Sequence, residues 1–219
     1  IACRLGPLNE ETKFILKKFD VENPLLLKDA RSQLKDIVMD TPNFINENAS
    51  LNKAWELMTG SNNRSLFVLN DLKKIVGIVS TSNLSMVRLM SKQSLDKLMS
   101  TTTLENIAET IDGNIVTTPS TFHSNGKVFV VTLNETSSYS DEFKGSICIM
   151  SDGHAKQKEL INAGAKCIII TCNQKIHSDN LQLATAKKCA LISTELDTMA
   201  VATVVQESFS IKNVMTKDI

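Results

Sequence analysis

The chain has 219 residues, 42% of them hydrophobic and 22% charged, with 24 basic side chains balanced by 24 acidic ones. That length suffices for one or two domains with proper cores, and the even charge balance argues against a nucleic-acid footprint. No apolar run approaches the roughly 20 residues of a bilayer-spanning helix, and Ile1-Ala2-Cys3-Arg4-Leu5 lacks the basic segment and apolar run of a signal peptide, so a soluble, cytoplasmic protein with no membrane partner is expected.

In chain order, Arg4-Leu5-Gly6-Pro7-Leu8-Asn9-Glu10-Glu11-Thr12-Lys13-Phe14 through Val21-Glu22-Asn23-Pro24-Leu25-Leu26 opens the sequence and belongs to neither of the domains that follow. Ser50 then starts an apolar-periodic segment (Leu51, Ala54, Trp55, Leu57, Met58), which Gly60 is expected to end as a helix stop. Ser65-Leu66-Phe67-Val68-Leu69, the polar turn Asn70 to Lys74 and the run Ile75 to Val79 read as a hairpin between two helices. The expected order is strand, helix, strand, strand, helix.

The second hairpin strand runs into Ser80-Thr81-Ser82-Asn83 at the start of the next helix. Two readings stay open there. Backbone N–H groups at a helix N-terminus attract phosphate, hydroxyls add donors, and a short amide such as Asn83 can reach ribose hydroxyls. The same residue types are ordinary N-caps, and capping alone explains them.

From Leu34 to Met90 the chain resembles a CBS domain, and Gly77-Ile78-Val79-Ser80-Thr81-Ser82-Asn83 follows that family's pattern of glycine, two apolar residues, Ser/Thr, two variable residues and Asp/Asn. The resemblance implies that Ser80 contacts the phosphate and Asn83 the ribose of an adenosine nucleotide, with Thr81 and Ser82 close by. It also puts Arg64 where relatives carry a basic phosphate contact, although a solvated arginine at a strand end would look the same. The adenine is expected in an apolar cleft near Phe44, Ile45 and Ile78.

Beyond Met90 comes a polar connector with Leu104, Ile107, Ala108 and Ile111 at helical spacing, ended by Asp112-Gly113-Asn114. Four apolar runs follow, Val128–Val131, Ile147–Met150, Cys167–Ile170 and Ala190–Ile192, with amphipathic helices near 154–163 and 178–188. Continuous apolar strands alternating with helices indicate a parallel sheet covered on both faces. Ser151-Asp152-Gly153, the strand ending in Thr171-Cys172-Asn173, and a helix from Asp197 to Gln206 resemble a DRTGG domain. Gly153 stands where that family has arginine, and Cys172-Asn173 replace its glycine pair. Asp152 and Thr171 are therefore read as cap and loop residues, and the domain as a spacer or dimerisation layer.

Five cysteines, Cys3, Cys148, Cys167, Cys172 and Cys189, are odd in number and scattered, with no C-x-x-C pair, which disfavours both disulfides and zinc. Cys148 and Cys167 lie inside apolar runs and read as small hydrophobes. His123, His154 and His177 have no helical i, i+4 partner of metal-binding type, so no metal site is expected in this chain. A catalytic α/β enzyme built on residues 128–206, an acyl- or phosphotransferase, finds no Ser-His-Asp order with a supporting motif, no P-loop and no G-x-G-x-x-G.

The two ends complete the reading. The first stretch resembles part of the catalytic DHH domain of manganese-dependent, family II inorganic pyrophosphatases, and Val214-Met215-Thr216-Lys217-Asp218-Ile219 resembles the opening of a CBS domain. In the subset of those enzymes with a regulatory insertion, the order is catalytic segment, CBS, DRTGG, CBS. The implied organisation is 1–33 as a catalytic-domain tail, 34–100 as a CBS domain, 101–209 as a DRTGG-like domain with its connector, and 210–219 as the start of a second CBS domain. The fold class expected is α/β: an α+β CBS domain followed by a three-layer α/β domain with a mainly parallel sheet.

By this resemblance the region binds adenine nucleotides, with AMP and ADP inhibiting and ATP or diadenosine polyphosphates activating. It works with the catalytic domains of the same parent protein and pairs as a homodimer. Manganese is implied for the parent alone. The motif G-H-x-x-P-D-x-D is missing here, so no catalytic residue and no pyrophosphate hydrolysis are expected of this chain by itself. The alternative is a structural or dimerisation module without ligand.

Overall fold

The computed structural model describes residues 2–27, 39, 41–132 and 141–217, and the chain divides into two units, Ile1–Thr41 and Pro42–Ile219. Leu34, where the CBS-like segment is expected to start, and Asp218 and Ile219 of the closing motif lie outside the described residues.

In the first unit, strand β1 (Cys3–Arg4) pairs in parallel with β2 (Leu25–Leu26) around helix α1 (Glu10–Lys18). The helix follows from its ends. Asn9 Oδ1 accepts the Thr12 N–H at 2.8 Å, Glu10 and Glu11 face the positive end of the dipole, and Lys17 and Lys18 face the negative end. The Arg4 guanidinium donates to the carbonyls of Pro24 (3.1 Å) and Gly6 (2.6 Å), tying both ends of the excursion together.

The second unit begins with β3 (Phe44–Asn46), α2 (Leu51–Ser61), β4 (Ser65–Leu69), β5 (Ile75–Ser80) and α3 (Thr81–Val87), in the order the sequence predicts. The sheet runs β3-β4-β5, with β3 parallel and β5 antiparallel to β4. Ser50 caps α2 by accepting the Lys53 N–H at 3.1 Å. The helix does not stop at Gly60: it continues to Ser61 and ends where Asn62 turns left-handed at φ 54°. Asparagine tolerates that conformation, so it takes the position glycine commonly fills. The hairpin turn forms around Asn70, whose Oδ1 accepts the N–H groups of Leu72 and Lys74, both at 3.0 Å.

Helices α4 (Lys92–Ser100) and α5 (Leu104–Thr110) lead to a five-stranded sheet of order β6-β10-β9-β8-β7. Its strands are β6 (Asn114–Thr117), β7 (Val128–Val130), β8 (Ile147–Met150), β9 (Cys167–Ile170) and β10 (Ala190–Ser193). The last four are mutually parallel, matching the apolar runs, whereas β6 is an antiparallel edge strand just past the expected end of the connector, where no strand is predicted. Helices α6 (His154–Asn162), α7 (Ser178–Lys187) and α8 (Thr198–Val204) accompany them, the last continued by a 3-10 turn over 205–208. A register shift lies between Leu191 and Ile192, and there the Thr117 hydroxyl accepts the Leu191 N–H at 2.9 Å and donates to the Cys189 carbonyl at 3.0 Å.

Alternation along the strands sorts the core into two. Ile147, Ile149, Cys167, Ile169, Ala190 and Ile192 face one way, into a core that continues through α8, α5 and α4 to the inner face of the three-stranded sheet at Ile45, Leu66, Val68 and Val79. Cys148, Met150, Ile168, Ile170 and Leu191 face the other way, against Leu160 and Ile161 of α6 and Ala184 of α7. One apolar core thus joins the two sheets, and a second seals the far face of the larger one.

Candidate functional site

The expected nucleotide turn lies at the junction of β5 and α3. Ser80 takes extended backbone angles at the N-cap, and a reciprocal capping box closes around it. Ser80 Oγ accepts the Asn83 N–H at 3.4 Å, while Asn83 Oδ1 accepts both the Ser80 N–H (2.9 Å) and the Ser80 hydroxyl (2.7 Å). The Asn83 amide nitrogen donates away from the turn, to the Val214 carbonyl at 3.0 Å and Thr216 Oγ1 at 3.3 Å. All four hydrogen-bonding positions of this carboxamide are filled.

The same segment occupies the free edge of β5. Ile78 and Thr216 exchange backbone hydrogen bonds of 3.0 and 2.9 Å, forming an antiparallel bridge. Gly77 is needed for that approach, since a Cβ there would come within 2.6 Å of the Thr216 carbonyl oxygen and 2.9 Å of Met215 Sδ. Gly77 is accordingly buried.

Around the turn, the Thr81 N–H donates to the Arg64 carbonyl at 3.1 Å, which brings these two residues together through the backbone. The Arg64 side chain is exposed, and its guanidinium forms no ion pair or hydrogen bond among the described residues. Ser82 is exposed, and Thr81 half-buried. The available polar groups are therefore Arg64, Thr81 and Ser82, while Ser80 and Asn83 are engaged with each other.

Strand register places Phe44 opposite Phe67 and Phe67 opposite Ile78. These three form an apolar row across the outer face of the small sheet, the Phe44 and Phe67 rings standing 6.0 Å apart and Phe44 remaining 46% exposed. Phe44 and Ile78 thus share a face. Ile45 does not join them: strand alternation turns it inward, 6% exposed, against the core. Phe67, which is not among the residues expected at the cleft, joins the row, and its alternation with the core residues Leu66 and Val68 signals that outward position.

The strand ends of the larger sheet close on themselves. Thr171 Oγ1 is buried between the Met150 carbonyl (3.3 Å) and Thr198 Oγ1 (2.9 Å). Cys172 and Asn173 are both left-handed, their N–H groups donating to the Leu196 and Thr194 carbonyls. Gly153, not Asp152, takes the N-cap position of α6, which has no side-chain cap, and Asp152 Oδ1 instead accepts the Gly153 N–H. His154 Nε2 meets both oxygens of Asp179 at 2.9 and 2.8 Å, a hydrogen bond that holds the Asp179 carboxyl below its usual range. Among the described residues no group of three or more His, Cys, Asp or Glu side chains could hold a metal ion, and no helix is long and apolar enough to cross a membrane.

Two family models match the chain. The CBS domain model matches residues 34–90 and the DRTGG domain model residues 106–208. The cobalt-dependent inorganic pyrophosphatase of Clostridium perfringens (strain 13 / Type A) is 29% identical over 221 residues, covering 100% of this chain. The probable manganese-dependent inorganic pyrophosphatase of Thermotoga maritima is 23% identical over 232 residues, covering 99%. The chain spans 40% of the length of each of these relatives. Among solved structures, the CBS and DRTGG domains of the regulatory region of the Clostridium perfringens pyrophosphatase, complexed with the activator diadenosine tetraphosphate, superimpose with a TM-score of 0.75 at 26% identity. That match covers 86% of this chain and 82% of the other.

Proposed function

We propose that this chain, which joins a CBS domain to a DRTGG domain in the manner of the pyrophosphatase regulatory regions, is an adenine-nucleotide sensor acting on the catalytic domains of a metal-dependent inorganic pyrophosphatase. The observation that carries the reading is the likeness to a regulatory region holding diadenosine tetraphosphate. An apolar row at Phe44, Phe67 and Ile78 suits a purine face. The Arg64 guanidinium, with the hydroxyls of Thr81 and Ser82, suits phosphate. AMP and ADP act as inhibitors and ATP or diadenosine polyphosphates as activators, each favouring one arrangement of paired CBS domains by differential contacts.

In this reading residues 1–33 are the tail of the catalytic domain, 34–100 the first CBS domain, 101–209 the DRTGG domain with its connector, and 210–219 the opening of a second CBS domain. The assembly is a cytoplasmic homodimer. The manganese or cobalt ions of the parent are held by its catalytic domains, where they would activate the attacking water.

A second reading, a structural or dimerisation module, is favoured by one specific observation: Ser80 and Asn83 already satisfy each other as a capping box. Calorimetry separates the two. A sensor gives heat with AMP, ATP or diadenosine tetraphosphate; a structural module gives none. A charge-assisted hydrogen bond contributes roughly 1.5 to 3 kcal/mol, so Arg64→Ala is expected to weaken AMP binding about ten- to a hundredfold. An unchanged titration removes Arg64 from the site.

A further inference from the structure

The segment that follows α8 and its 3-10 turn is fastened back onto residues 47–51 and then onto β5 at successive points. The Leu51 N–H donates to the Phe209 carbonyl at 3.0 Å, the Ile211 N–H to Ala49 at 3.0 Å and the Lys212 N–H to Glu47 at 2.9 Å. Asn106 Nδ2 braces this crossing from α5, donating to the Asn48 carbonyl at 3.0 Å and Ser210 Oγ at 3.3 Å. Among the described residues the last attachment is the Ile78–Thr216 bridge, and Asn83 is the side chain of the turn that reaches over to hold it.

We propose that Asn83 is a latch whose carboxamide is shared, in alternation, between the 214–216 segment and the ribose of a nucleotide bound at the turn. The proposal rests on the nucleotide reading above for its second half alone; the latch itself rests on the hydrogen bonds. With both amide hydrogens and both oxygen lone pairs engaged, any ribose contact must displace an existing partner. The bonds to Ser80 are 2.9 and 2.7 Å and lie within one turn, whereas those to Val214 and Thr216 are 3.0 and 3.3 Å and cross to a segment more than 130 residues away. The long-range pair gives way first. Nucleotide binding at the turn therefore releases Thr216 from Asn83 and loosens its bridge with Ile78, so that occupancy of the site is passed to the chain beyond residue 216. Asn83 is in this sense a positioning residue for the 214–216 segment.

Hydrogen exchange on the full chain tests this directly, because the Ile78 and Thr216 amides donate to each other's carbonyls and report whether the segment is docked. Saturating AMP is expected to speed exchange at these two amides by about tenfold or more. Asn83→Asp removes both donors to the segment but keeps acceptors for ribose hydroxyls. It should speed the same exchange without ligand, while AMP affinity holds within about threefold or tightens. Gly77→Ala supplies a variant that spares Asn83: its Cβ meets the Thr216 carbonyl oxygen at 2.6 Å and should undock the segment. Two results overturn the proposal: AMP bound with both amides as protected as before, or Asn83→Ala with the segment still protected. If AMP gives no heat in any variant, the nucleotide reading fails and the competition with it, while the exchange of Asn83→Ala and Asn83→Asp still decides the latch.

Discussion

The two sheets of the second unit are built from similar residues but are covered differently. In the five-stranded sheet every residue of β8 and β9 is buried, odd and even positions feeding separate cores. In the three-stranded sheet the inward side chains Ile45, Leu66, Val68 and Val79 are buried, while Phe44, Phe67 and Ile78 face outward and stay partly exposed. A sheet sealed on both faces can present chemistry only at its strand ends, and here Thr171, Cys172 and Asn173 engage their polar groups with neighbouring loops, while Gln157 Nε2 and Asn180 Oδ1 in the first turns of α6 and α7 are buried without a partner among the described residues. A sheet covered on one face keeps an apolar surface beside its helix N-terminus. This contrast is the physical ground for proposing the sensing surface on the smaller sheet, with the larger one as its support.

The largest effect that tests the contrast is in the core. Ile169 is fully buried in the centre of the larger sheet, and Ile169→Ala is expected to cost about 2 to 5 kcal/mol through lost burial and a residual cavity. Phe44→Ala removes a larger side chain, yet one nearly half exposed on the open face, and should cost about 1 kcal/mol or less. Urea unfolding of the two variants measures the difference. Equal losses would mean that the outer face of the small sheet is covered as well.

The same contrast decided what could be read in the sequence. The strands of the larger sheet were legible because full burial writes uninterrupted apolar runs, and the helices between them because their lengths and spacing fit. The edge strand β6 was not: Asn114-Ile115-Val116-Thr117 is short, alternates in burial and follows an Asp-Gly turn, so it looks like the end of a connector. Gly60 misled because glycine is the commoner helix stop, while Asn62 two residues later could take the left-handed angle as well. The hydroxyl turn was visible, including its capacity to cap α3, but the partners of the Asn83 amide lie 131 and 133 residues downstream. No local pattern reveals a contact across that separation.

A smaller effect follows from the thiols, which divide along the same line. Burial pushes Cys148 up to about 11, Cys189 to about 12 and Cys167 well above the ordinary thiol value, and all three lie in or beside the strands of the larger sheet. Cys3 and Cys172 are exposed. Since the thiolate is the reacting species, an alkylating reagent at pH 8 should modify Cys3 and Cys172 in the native protein. The other three should react only on unfolding. Mass spectrometry of the labelled protein checks this, and fast labelling of Cys167 would show that the sheet opens far more readily than its packing implies.

The smallest effect concerns the loops at the strand ends, where the larger sheet would have to act if it carried a site of its own. His154, at the start of α6, meets Asp179, at the start of α7, through both carboxylate oxygens, and Asn180 Nδ2 donates to the His154 carbonyl at 3.0 Å. The hydrogen bond from His154 lowers the Asp179 pKa. A depressed carboxylate contributes stability above its unfolded-state pKa, and that contribution disappears as pH falls through the lower folded-state value. Both side chains are about half exposed, which keeps the contribution small. Carboxyl titration by NMR should find Asp179 below the ordinary aspartate value in the native chain and returned to it in His154→Ala. An Asp179 that titrates normally in the native chain would mean that the two helix starts are not tied together in solution, leaving the strand ends of the larger sheet open in the way the smaller sheet's outer face is.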